Sequence, residues 1–216
     1  MVIAKFITGI ILAYLLGSIP TSLWVGKYIY QVDIRKLGSG NAGATNTIRV
    51  LGLKAGIPVL IFDILKGWCA VYVASFFWEY MGIYPDLLDY QILLAIAAVT
   101  GHVLPVYAGF RGGKGMATLV GIGIPLYPHA LLIVIAVFIV VFFLWRYVSL
   151  ASIISSLAFP FVEIFLLGHD KYPSLIVLSV LVAIFVPLTH RGNIIRLFRH
   201  EELKLTIRNS QGIKSG

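Results

Sequence analysis

The sequence predicts an all-α, polytopic integral membrane helix bundle of about seven transmembrane segments. Three observations carry this. The 216 residues are 59% hydrophobic and only 12% charged, with a mean hydropathy of +0.95; a soluble domain carries about twice that charge. The apolar residues fall into separate runs, most of them near the ~20 residues that cross a hydrocarbon core. Lysine and arginine gather at the ends of those runs, predominantly on one side of the predicted membrane.

In chain order, the expected spans lie at residues 3–26, 56–78, 90–110, 115–126, 129–146, 150–168 and 173–190, with six or five segments as the alternatives. The first run, Val2–Val25, is too long for a signal-peptide core and no small-x-small cleavage site closes it, so it reads as a retained helix. The fourth is too short to cross as a straight helix. Gly121, Gly123 and Pro125 mark it as a broken or partial helix, which needs protein or a cavity around it. With the N-terminus outside, fifteen of the 17 Lys and Arg residues fall on the inner face, against only Lys5 and Lys171 outside. The acidic Glu79, Asp86 and Asp89 fall in an outer loop, and the C-terminus is then cytoplasmic. Residues 1–200 read as one transmembrane domain. Residues 201–216 read as a cytoplasmic tail, disordered from Asn209. Arg196, Leu197, Phe198, Arg199 and Leu203 fit a short interfacial helix at its root.

The net charge of +8 sits where anionic headgroups or anionic substrates would meet it, which argues against nucleic acid. Cys69 is the one cysteine, so there is no intramolecular disulfide and no cysteine metal cluster. No metal and no organic cofactor is expected.

Two glycine-rich basic stretches interrupt the apolar pattern on the inner side. The first, LGSGNAGATN, holds Gly38, Ser39, Gly40, Asn41, Gly43, Thr45 and Asn46, followed by Arg49. Glycines let successive N–H groups converge on one point, and Ser39, Thr45 and Asn46 add side-chain donors, a combination suited to phosphate. The second, GHVLPVYAGFRGGKGMAT, surrounds Lys114 with Gly112, Gly113 and Gly115 and places Arg111 ahead. It is not a nucleotide P-loop, because Gly115 follows the lysine where Ser or Thr is required and no strand leads in. An orientation signal needs basic residues but no glycines. Two such loops on one face are better explained by a shared anionic ligand.

Ser149 and Ser152, His190, Arg191 and Asn193, and Lys27 fall near the same face. Asp63 and Lys66, three apart in the second span, read as a charge-neutralising helix pair. His102, three residues before Pro105, reads either as a structural partner for the carbonyl that the proline frees or as a second-tier site candidate, with Lys27 and Arg111. None of the five histidines is followed five positions on by aspartate, so the His-x4-Asp dyad of common glycerolipid acyltransferases is absent, as is a Gly-x-Ser-x-Gly elbow.

Together these stretches resemble the bacterial PlsY family of acyl-phosphate:glycerol-3-phosphate acyltransferases, over Ala4 to about Leu197. GSGNAGATN and GHVLPVYAGFRGGKGMAT carry the resemblance and YVSLAS supports it. Leu104 stands where an aromatic is frequent, and the chain past His200 is less family-like. The resemblance implies a seven-helix bacterial inner-membrane enzyme, its site open to the cytoplasm. It would move an acyl group from acyl phosphate to the 1-hydroxyl of glycerol 3-phosphate. It implies site residues Ser39, Thr45, Arg49, Lys114, Ser152, His190 and Asn193, with His190, Asn193 and Ser39 nearest the chemistry. Gly38, Gly40, Asn41, Gly43, Asn46 and Gly113 join the phosphate-binding set through the two loops. Either His190 or a substrate phosphate oxygen serves as base. The rival reading is a transporter or flippase for a phosphorylated solute or lipid, which broken helices and basic residues would also suit.

Overall fold

The computed structural model describes residues 2–78, 86–167 and 172–205. Glu79, Lys171 and the tail from Asn209 lie outside them. The described residues are helical, with no strand among them. In order they form α1 (Val2–Gly17), α2 (Thr21–Trp24), α3 (Ala44–Leu51), α4 (Leu53–Trp78), α5 (Leu87–Val103), α6 (Met116–Leu126), α7 (Pro128–Trp145), α8 (Val148–Phe161), α9 (Pro173–Thr189) and α10 (Arg191–Phe198). All seven expected apolar runs are helical. Five stretches are long and apolar enough to cross a membrane: Ile3–Ile29, Leu53–Trp78, Leu87–Ala108, Pro128–Trp145 and Val148–Leu166. A sixth candidate is α9 taken with α10, the pair bent by 60°.

α6 is the exception. Its 11 residues rise about 16 Å, half of a hydrocarbon core of about 30 Å. It is held inside the bundle by close approach to α4: a Cβ added at Gly121 would strike the carbonyl of Ile64, and one at Gly67 the carbonyl of Thr118. α1 and α5 meet in the same way, Gly17 against Ala98 and Gly101 against Tyr14 and Ser18. Small residues at a crossing let backbones touch, which replaces the missing hydrophobic drive between helices in lipid.

Buried tyrosines tie further helices together through their hydroxyls. Tyr90 donates to Phe6 O at 3.1 Å, linking α5 to α1. Tyr127, between α6 and α7, donates to Leu175 O at 2.7 Å and packs edge-on against Phe159 at 4.7 Å between centroids.

Three boundaries differ from the sequence reading. α5 stops at Val103 instead of running to residue 110, because Pro105 lacks an amide and the chain turns at Val106–Ala108. The polar loop contains the start of a helix: α3 begins at Ala44, so Thr45, Asn46 and Arg49 are helical. The interfacial helix begins at Arg191 and includes Asn193. Lys66 is also no membrane-end charge. It lies 7% exposed within α4, paired to Asp63 at 2.8 Å, the i,i+3 pair the sequence suggested.

Candidate active site

The polar groups converge at one end of the bundle. The loop before α3, the loop before α6, the first turn of α8, the α9–α10 corner and residues 201–205 wall a cavity of about 440 Å³. Ser39, Asn41, Gly43, Thr45, Arg49 and Lys114 line it, joined across the cavity by Ser152, His190 and Asn193. The far end is apolar, made by Leu60, Ile64, Leu131, Val134, Ile135 and Phe138. A second, almost wholly apolar cleft of about 350 Å³ between α5, α6, α8 and α9 shares Met116, Val120 and Leu131 with it.

The first loop is built around Asn46. Its Nδ2 donates to Ile34 O at 3.0 Å and Leu37 O at 3.1 Å, and its Oδ1 accepts from Ser39 N at 2.8 Å. Gly40 N donates to Leu37 O at 3.0 Å. Asn46 is 1% exposed. Asn46 also lines the cavity, but every polar side-chain atom it has is engaged in holding the loop itself. The amides of Ser39 and Gly40 are likewise engaged, so they are not free nest donors. Gly38 (φ +60°) and Gly40 (φ +73°) supply left-handed turns, and a Cβ on Gly38 would meet Asn46 Oδ1. The donors that remain are at the start of α3. Gly43 offers no side-chain cap, the first-turn N–H groups have no intrahelical partner, and Gly43, Ala44 and Thr45 line the cavity. A helix N-terminus with uncapped amides favours an anion.

Arg49, on the last turn of α3, reaches across to Leu203 O at 3.3 Å, while its buried Nε has no protein hydrogen-bond partner. Burial lowers its pKa. Lys114 Nζ donates to Asn193 Oδ1. Burial pulls its pKa down to about 8, opposed by the Glu202 carboxylate and reinforced by Arg196 and Arg49. Asn193, 6% exposed, is thereby engaged at both ends, since its Nδ2 donates to Glu202 Oε1 at 2.7 Å. His190 is 3% exposed with Nδ1 2.8 Å from Val186 O. A carbonyl can only accept, so Nδ1 carries the proton and Nε2 keeps a lone pair.

Two second-tier candidates are not brought to the cavity. Lys27 and Arg111 are exposed and do not line it. Gly113 fits tightly behind the site, where a Cβ would strike His102 Nε2. Sequence reasoning missed Glu202. Its carboxylate takes Ser149 Oγ at 2.8 Å, Asn193 Nδ2, and Arg196 Nε at 2.8 Å. Those hydrogen bonds, together with the nearby Arg196 charge, outweigh burial and lower its pKa. The available signal was an acidic pair, Glu201–Glu202, inside an otherwise basic tail.

A family model described as glycerol-3-phosphate acyltransferase matches residues 7–200. A crystal structure of PlsY, an integral membrane glycerol 3-phosphate acyltransferase, in its glycerol 3-phosphate form superimposes with a TM-score of 0.80 at 34% identity, covering 93% of this chain and 96% of that one. The chain belongs to the PlsY family of glycerol-3-phosphate acyltransferases. The lysophosphatidic acid form of the same PlsY gives a TM-score of 0.78 at 33% identity, over 94% of this chain and 96% of that one. Curated PlsY-family relatives agree. The glycerol-3-phosphate acyltransferase of Chlorobium luteolum is 42% identical over 92% of this chain and 95% of its own length. That of Fusobacterium nucleatum is 42% identical over 92% and 97%. The chain is therefore an enzyme, a multi-pass membrane acyltransferase, and the transporter reading falls away.

Proposed function

We propose that this chain transfers an acyl group from acyl phosphate to the 1-hydroxyl of glycerol 3-phosphate, giving lysophosphatidic acid and inorganic phosphate. One observation carries the reading: a single cavity joins a cationic, hydroxyl-rich end to an apolar end. The PlsY structures in glycerol 3-phosphate and lysophosphatidic acid forms support the acceptor and the product. Acyl phosphate is a mixed anhydride, already activated, so catalysis requires mainly positioning and charge stabilisation.

Arg49, Lys114 and the first turn of α3 hold the phosphates, with Ser39, Thr45 and Ser152 as hydroxyl donors. The apolar end holds the acyl chain, each buried CH₂ contributing about 0.8 kcal/mol. The glycerol oxygen attacks the acyl carbon and a C–O bond forms. The carbonyl electrons shift to oxygen and return, and the acyl–phosphate C–O bond breaks with its pair leaving on phosphate. His190 Nε2 takes the hydroxyl proton on this reading; a phosphate oxygen of the substrate is the other acceptor. The site faces the cytoplasm of a bacterial inner membrane, with the N-terminus outside.

Purified protein given glycerol 3-phosphate with acyl phosphate or acyl-CoA tests the donor. Phosphate release with the first and little turnover with the second is expected; comparable turnover with acyl-CoA overturns the assignment. For topology, cysteines at Lys36 and Lys204 in a Cys69→Ser background should resist a membrane-impermeant thiol reagent in intact cells. Labelling at either site would reverse the orientation.

A further inference from the structure

A buried charged cluster beside the cavity is left unused by this chemistry. Asp63, Lys66 and His102 are 2%, 7% and 6% exposed. Lys66 Nζ lies 2.8 Å from Asp63 Oδ1 and donates to Ile19 O at 3.0 Å. Thr21 Oγ1 donates to the same carboxylate oxygen at 3.0 Å. His102 Nδ1 faces that oxygen at 3.8 Å, buried and without a hydrogen-bond partner. The Asp63–Lys66 pair needs no imidazole for its own neutralisation, and ionisable groups at such depth mark function more often than packing.

The other edge of the ring meets the site. His102 and Asp63 both line the cavity. A Cβ on Gly113 would strike His102 Nε2 and would stand 2.8 Å from Ala42 O. Gly113 N donates to His102 O at 3.2 Å, and Gly112 N to Val103 O at 3.1 Å. The loop that carries Lys114 thus lies on the last turn of α5, seated against the imidazole, with Ala42 of the other glycine-rich loop beside it.

We propose that His102 is a positioning residue for acyl transfer. Asp63, neutralised by Lys66 and held by Thr21, faces Nδ1 at 3.8 Å, and the ring is held by burial between that carboxylate and Gly113 and not by a hydrogen bond at Nδ1. The Nε2 edge then sets the height of the Gly112–Lys114 loop against Ala42, and with it the reach of Lys114 Nζ to Asn193 and the substrate anion. The proposal rests on the reading of Lys114 as a phosphate ligand and takes that phosphate to be glycerol 3-phosphate's.

The test uses the full-length chain and three variants, His102→Ala, His102→Gln and His102→Asn. Gln places its terminal amide near the Nε2 position, whereas Asn stops at Nδ1. The readouts are KM and kcat for glycerol 3-phosphate with acyl phosphate, and melting with and without glycerol 3-phosphate. His102→Ala and His102→Asn should raise KM about tenfold or more, change kcat less, and lose most of the ligand-induced rise in melting. Their ligand-free melting should stay near wild type, and His102→Gln should recover most of the KM. Should the alanine variant not fold, the Gln–Asn contrast decides alone. Wild-type KM in His102→Ala, equal KM in the Gln and Asn variants, or activity falling only in step with ligand-free melting would assign the ring to packing and overturn the proposal. Failure of the functional reading is visible separately, because the wild-type chain itself would then release no phosphate and show no melting shift.

Discussion

Asn193 donates to Glu202 across the α10–tail turn at 2.7 Å, while its other amide atom accepts from Lys114. The carboxylate thereby orients, through one amide, the lysine proposed to meet the substrate. In Glu202→Gln, a new NH₂ would face either the Asn193 amide or Arg196 Nε, and three cations would lose their counter-charge. We expect kcat/KM to fall at least tenfold, with about 1–3 kcal/mol of stability lost, the lower part of that range reflecting the one-third exposure of Arg196. The wild-type contribution is present above the ordinary glutamate range and lost as pH falls through the lowered pKa. Kinetics and melting curves at neutral and acid pH check both.

Lys114 gives a pH signature with two opposite signs. Its pKa is held down to about 8 against an ordinary 10.5, so its charge is lost as pH rises through about 8 in the free enzyme. kcat/KM for glycerol 3-phosphate should fall along that limb, well above the ~6 at which a phosphate monoester takes its second charge. Between about 8 and 10.5 the unfolded chain holds more protons than the folded one, so stability should rise while activity falls. Lys114→Arg should remove the limb whatever activity it retains. A wild-type profile flat from pH 7 to 9.5 would detach Lys114 from substrate binding.

Two glycines of the first loop should separate folding from binding. Gly43 has an unstrained φ of −143°, and a Cβ there meets only Asn41 Nδ2 at 3.9 Å. Gly43→Ala should therefore melt like wild type, and any loss of activity reports crowding of the anion at α3. Gly38→Ala is strained at φ +60° and strikes Asn46, so it should lower stability by about 1–3 kcal/mol. Equal melting losses in the two variants would contradict the loop geometry.

Leu131 lines both apolar compartments. Leu131→Trp should penalise long-chain acyl phosphates more than short-chain ones, because displacing two methylenes at about 0.8 kcal/mol each already costs roughly tenfold. Relative kcat/KM across a donor series reads this. An unchanged ratio would place the chain elsewhere.

Hydropathy made the seven runs legible because each apolar stretch needs little context to be helical in lipid. The cavity lining was legible where glycine and basic residues coincide, at Lys114 and Ser39–Arg49. The role of Asn46 was not legible, since its amide is chemically as able to bind phosphate as to staple a loop; only the positions of Ile34 and Leu37 decide. Glu202 was hidden for a related reason. Its partners Ser149, Asn193 and Arg196 come together through folding, and a carboxylate near an anion site looks unfavourable until the three surrounding cations are counted. The end of α5 at Val103, two residues before Pro105, was a local signal outweighed by the apolar run around it.

The half-length of α6 has a consequence for the membrane as a whole. On the proposed topology, a helix that stops midway would leave hydrocarbon and headgroup levels in one continuous space on a single side of the bilayer. A lipid tail can then stay in its leaflet while its headgroup is exchanged around it. On the proposed reaction each turnover replaces one donor amphiphile by one lysophosphatidic acid in the same leaflet and gives the other leaflet none. On that reading the lipid made here stays on one face of the membrane, and the opposite leaflet is filled only by a separate transbilayer movement of lipid.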